Sequence, residues 1–161
     1  MDKEALKNMF AGFNDCEPGA GSGGPPKIKA DGTYTVEVGT VKLKPSERYN
    51  ATYFIVEFKI LKTSNERIYR DSVYSWSHNA LEKHYGMANI KMFLASVLGF
   101  KPQSPEGMAV SHDDLHEAVS HEQPLRGLVV QLTTSHKETE KGYDFWIHEW
   151  APVADLKEVN G

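Results

Sequence analysis

With 161 residues (18.1 kDa), 40% of them hydrophobic, 25% charged and 11% aromatic, the chain has the makeup of one globular domain with an appendage. That makeup excludes a largely disordered chain and a collagen-like repeat, and every apolar run falls far short of the ~18 residues a bilayer-spanning helix needs. The formal net charge of −4 argues at first sight against a polyanionic partner, but residues 27–101 carry 12 basic and 7 acidic side chains while residues 102–161 carry 4 and 11. A chain polarised in this way can present a basic face under an acidic total.

Residues 1–26 read as an N-terminal segment and linker. Leu6, Met9, Phe10 and Phe13 share one face of a short helix that would pack on the body or on a partner. Glu17 to Pro26 is a Gly/Pro tract with little to bury. The N-terminus has no secretory pattern, and Cys16 is the sole cysteine. Both features point to a reducing, cytoplasmic setting, the host cytoplasm if the protein is viral.

Residues 27–155 read as the folded domain, and 156–161 as a short tail. From Thr33 to Lys44 the chain alternates, with Tyr34, Val36 and Val38 on one face. Val41 and Leu43 take the opposite parity, so Gly39-Thr40 is expected to hold a β-bulge. After a turn at Pro45–Asn50, Thr52 to Lys62 turns Phe54, Val56, Phe58 and Ile60 inward and Tyr53, Ile55, Glu57 and Lys59 outward. A third strand is expected over Glu66–Ser77. Helix signals follow: the Asn79/Glu82 capping spacing, a stripe of Ile90, Phe93, Leu94, Val97 and Leu98 ending at Gly99, and then Ser111/Asp114 ahead of Leu115, Ala118 and Val119. Strands over Arg126–Ser135 and Gly142–Trp150, joined by a polar hairpin, complete the domain. Trp146 and Trp150 oppose Tyr143, Phe145 and Ile147 in parity, and either set can be the buried one. Three strands, one or two helices and two strands predict a mainly β, five-stranded OB-fold, a Greek-key barrel with its helix between strands 3 and 4.

Cations and rings interleave around these strands. Lys42, Lys44 and Arg48 surround the first turn, Lys59 and Lys62 end the second strand, Arg67 and Arg70 lie on the third, and Lys137 and Lys141 lie in the last hairpin. Tyr49, Tyr53, Tyr69, Tyr74, Trp76 and Tyr143 are the accompanying rings. Tyr74 and Trp76 share a parity that suits an exposed stacking face and the barrel interior equally. Single-stranded nucleic acid needs this mixture, because cations follow phosphates while flat rings accept unstacked bases. Of the cations, Lys42, Lys44, Arg48, Lys59, Arg67, Arg70, Lys137 and Lys141 are the expected phosphate contacts. No element looks shaped for a duplex groove.

Asp31-Gly-Thr-Tyr-Thr-Val-Glu-Val38, the long second strand, Trp76 ahead of a helix, Leu98-Gly99-Phe100, and Leu125-Arg-Gly-Leu-Val-Val130 followed by a Lys/Gly hairpin resemble phage-encoded OB-fold single-stranded DNA-binding proteins over residues 30–153. The resemblance implies a non-catalytic protein that coats single strands in phage DNA replication, recombination or repair. Its implied partners are single-stranded DNA and replication or recombination proteins, with no cofactor, no metal and no membrane; homo-oligomerisation is compatible with it. Many such proteins end in an acidic tail that recruits replication partners, whereas residues 154–161 are short and mixed in charge, a departure that leaves partner recruitment through this C-terminus open.

Two other readings compete. The barrel could be a protein-interaction or virion structural module. Alternatively His112 and His116, four apart on a helix, could bind zinc for hydrolysis, but Asp113 stands where metalloproteases carry Glu, and a third ligand such as His78, His84 or His136 is required. No phosphate-binding loop or nucleophile elbow is present.

Overall fold

The computed structural model describes residues 27–81, 83–138, 140–142 and 144–153. Five strands form one antiparallel sheet: β1 (Gly32–Ser46), β2 (Ala51–Thr63), β3 (Val73–Asn79), β4 (Val129–Glu138) and β5 (Asp144–Ala151), in the order β3-β2-β1-β4-β5. Among the described residues, three short helices, α1 (Lys83–Val97), α2 (Pro105–Met108) and α3 (His112–Ala118), all fall between β3 and β4. A long central β1 shared by β2 and β4, with the helices after the third strand, is the mainly β OB arrangement that the alternation predicts.

The inward rows are those set by period two. Tyr34, Val36, Val38 and Val41 on β1, Phe54, Val56, Phe58 and Ile60 on β2, and Val130 and Leu132 on β4 are buried together. The parity change in β1 is a bulge: the register jumps between Val38 and Val41, leaving Gly39 and Thr40 opposite Glu57 alone. A Cβ on Gly39 would stand 3.2 Å from the Glu57 carbonyl oxygen, which explains the glycine. A second shift, between Thr35 and Val36, places an extra residue at Leu61 on β2.

Beyond its bulge β1 has no β4 neighbour, and the segment after α3 takes that place. Val41 N–H donates to Gln123 Oε1 at 2.8 Å, and Gln123 Nε2 donates back to the Val41 carbonyl at 2.8 Å. One side-chain amide thus completes the ladder. Val38 exchanges backbone bonds with Gly127 and Leu128, both at 2.8 Å, just before β4 begins.

The edges β3 and β5 meet through rings, with no ladder between them among the described residues. Trp76 on β3 and Trp150 on β5 stand edge to face at 5.5 Å between centroids. Phe93 of α1 fills the seam, 4.8 Å from Trp150 and 5.8 Å from Phe54. The Trp150 set is therefore the buried parity of β5. The buried row of α1 is Ile90, Phe93, Leu94 and Val97. Leu98 is exposed because the helix has already ended: Gly99 at φ +92 donates to Ser96 O, and Phe100 N–H donates to Ala95 O.

Several boundaries differ from the pattern reading. Glu66–Ser72 is a loop rather than strand, so β3 starts at Val73. Asn65 Oδ1 accepts from Arg67 N–H and Asn65 Nδ2 donates to Asp31 O, while Ile60 bonds both Asp71 and Ser72 across a positive φ at Asp71. These local bonds replace ladder pairing, and Ile68 plugs the barrel end. Residues 125–128 form a turn, so β4 starts at Val129. Asn79 ends β3, its Oδ1 accepting from Thr52 and Leu81 N–H, and Glu82 lies outside the described residues. Asp114 does cap α3, accepting from Ser111 N–H at 2.8 Å. The expectations for residues 1–26, Tyr143 and the Phe145 side chain also lie outside the described residues.

Candidate nucleic-acid interface

Because inward residues of β1 and β2 are uniformly apolar, the alternate residues define an outer face by register alone. Three cross-strand rows build it. Lys44 pairs with Tyr53 and Tyr53 with Asn79; Lys42 pairs with Ile55 and Ile55 with Ser77; Glu37 pairs with Lys59 and Lys59 with Val73. Glu57, opposite the bulge, sits between the second and third rows beside Ser75. A tyrosine next to a lysine, with an uncharged Ile55/Ser77/Asn79 patch alongside, can take one ring stack and a neighbouring phosphate.

Charge on this face is mixed. Lys42 Nζ lies 3.5 Å from Glu57 Oε1, and Glu37 stands opposite Lys59. Half of the Lys42 side chain is exposed, so the pair is a surface one worth ~0.2–1 kcal/mol, which an incoming phosphate can replace. The acids Glu106, Asp113, Asp114, Glu117 and Glu122 are carried by α2, α3 and the turn that follows, off the β1–β2–β3 ladder.

The remaining expected contacts separate into two groups at opposite ends of β1. Arg48 and Tyr49 occupy the β1–β2 turn beyond Lys44, with the Arg48 guanidinium 5.6 Å from the centre of the Tyr49 ring, which is half exposed. Arg67, Tyr69 and Arg70 lie in the β2–β3 loop beside the start of β1, with Lys62 just before it. Tyr69 is 71% exposed. Tyr53 to Lys62 is roughly 30 Å of strand, so these are two patches joined by Lys59 and not one cluster. Lys137 and Lys141 belong to the β4–β5 hairpin at the second end, where Glu138 and Glu140 offset them.

Two of the expected stacking rings point the other way. Trp76 is only 4% exposed and belongs to the closing seam, and Tyr74, paired with Phe58 on the inner parity, packs partly buried against the core. Neither faces the Tyr53 surface. The neutral apolar members of the outer face, Ile55 and Val73, are contact residues the sequence reading did not select, although the parity of Ile55 with Tyr53 carried the signal. Val73 is about half exposed beside Lys59.

No family model matches the chain, and no curated protein is similar to it.

Histidine chemistry was the competing lead. His112 and His116 do share α3, yet among the described residues no group of three or more His, Cys, Asp or Glu could hold a metal ion. His78 Nε2 is 3.2 Å from Asn89 Nδ2, and His136 Nδ1 is 2.7 Å from Asp31 Oδ1, so two of the suggested third ligands are engaged elsewhere. His148, inward on β5, is a different case. Burial, followed by the charges of Lys27 and His78, pushes its imidazole down to about 4. Its Nε2 has no hydrogen-bond partner among the described residues. Also among the described residues, no helix is long and apolar enough to cross a membrane.

Proposed function

We propose that the protein binds single-stranded DNA with little sequence preference across the outer face of β1, β2 and β3, in the manner of the phage OB-fold proteins its motifs resemble, and that it serves replication, recombination or repair without catalysis. The observation that carries this reading is the Lys44–Tyr53 cross-strand pair with Lys42 and Ile55 in the adjoining outward row. A base stacks on Tyr53 while the flanking phosphates meet Lys44 and Lys42. The strand then continues past Lys59 toward Arg67, Tyr69 and Arg70, and in the other direction onto Arg48 and Tyr49. A span of this kind suits the ~4–16 nucleotides that one OB barrel covers.

The test is an anisotropy titration of fluorescein-labelled oligo-dT. Intrinsic tryptophan emission is a poor reporter, because Trp76 and Trp150 are sealed in the core and Trp146, on β5 beside His136, lies off the β1–β2–β3 ladder. Neutralising about four phosphates gives a salt slope of about −3, a loss of roughly fifty-fold between ~50 and ~200 mM salt. Tyr53→Ala removes one stack and weakens binding by about 1–3 kcal/mol, roughly 5- to 150-fold. Absence of binding at low salt, or an unchanged affinity in Tyr53→Ala, overturns the reading.

A further inference from the structure

Helix α1 carries only two ordinary charges, Lys83 and Lys91, and is apolar on more than the face it turns to the barrel. A helix of that kind normally has cover on both sides. On its outer side an open groove of about 440 Å³ runs between α1 and the segment leading into α3. Met87, Lys91 and Leu94 form one wall and Val110, His112 and Leu115 the other. Met87 is 39% exposed there.

We propose that this groove is the docking site of the chain's own N-terminal segment, Leu6 to Phe13, which lies down in it as an amphipathic helix. Leu6, Met9, Phe10 and Phe13 stand at i, i+3, i+4 and i+7, the anchor spacing of a helix that lays one face into an apolar groove. A helix this short is marginal alone and needs such a partner to form. The connection has the right reach. The barrel takes up the chain at Ile28, which is fully buried. Lys27 lies near His148 on β5, the strand that α1 packs against through Phe93 and Trp150. From there the segment must pass around one helix, ~10–12 Å across. The Gly/Pro tract of residues 17–26 spans ~31 Å when extended. The groove belongs to the helical side, so its occupation is independent of DNA binding.

The sole cysteine supplies the test. A nitroxide attached to Cys16 of the full chain is expected to broaden the methyl NMR signals of Met87, Val110 and Leu115, while those of Val73 on the outer sheet face stay sharp. The double substitution Phe10→Glu and Phe13→Glu is expected to abolish the broadening. Sharp groove signals in the unsubstituted chain, or broadening that survives the double substitution, overturns the proposal. Equal broadening when spin-labelled chains are mixed with separate isotope-labelled chains assigns the groove to a second copy, and also overturns it.

Discussion

Lys42 and Glu57 show how a single side chain sets the strength of the outer face. The carboxylate sits beside the bulge, within 3.5 Å of the ammonium, at the centre of the surface a phosphate chain would cross. Replacing it by an isosteric amide leaves Lys42 available and removes a negative charge, with little change in packing. Glu57→Gln is therefore expected to tighten oligo-dT binding by up to about fivefold at low salt, with the gain fading as salt is raised; an unchanged or weaker affinity at low salt contradicts the role given to Lys42. Sequence parity already put Glu57 and Lys59 on the same side as Tyr53. The pairing of Glu57 with Lys42 was hidden, because it depends on which residue of β1 the bulge slides opposite to it. Trp76 was undecidable for a related reason: parity divides a strand into two faces, but only the arrival of β5 and α1 says which face is inside.

At the scale of elements, strands were legible wherever one face is buried and the other wet, as in β1 and β2, whose alternation includes the bulge itself. The β2–β3 loop looks like strand in the sequence because Tyr69 and Val73 share one parity and lead into Tyr74 and Trp76 on the other, although the Asn65 side chain turns the backbone aside before them. The helix α2 escaped notice, at four residues too short for a periodic stripe; its Ser104-Pro105 start was its local mark, Ser104 Oγ accepting from Gly107 N–H at 3.1 Å. The clasp between Gln123 and Val41 was equally invisible, since it joins residues 82 apart. It holds the free half of β1, and with it Lys42 and Lys44, against the segment that follows α3. Gln123→Ala leaves both Val41 backbone groups without partners and is expected to destabilise the fold by about 1–3 kcal/mol in urea unfolding. Arg126→Ala, which removes a long 3.3 Å exposed contact to Thr40, is expected to change stability by less than about 0.5 kcal/mol.

For the molecule as a whole, the largely buried histidine on β5 ties stability to acidity. Unfolded, His148 takes up a proton near its ordinary 6.5; folded, it resists protonation until about 4, because burial and the nearby Lys27 and His78 disfavour a charge there. Its contribution is complete above pH 6.5 and drains away as the pH falls toward 4, by up to about 3 kcal/mol. Urea midpoints taken at about pH 7 and about pH 4.5 are expected to differ less in His148→Phe than in the unsubstituted protein, the carboxylates being common to both. An equal difference in the two proteins refutes the assignment.

The seam between β3 and β5 has a last consequence. Where two edges are laced by a ladder, strand spacing is fixed by the peptide group; here it is gauged by the bulk of Trp76, Phe93 and Trp150. The girth of the cylinder follows from those three rings, and so does the bend of the sheet outside it. Trimming any one of them would alter the curvature on which Tyr53 and Lys44 ride, from a position inside the barrel rather than on its outer face.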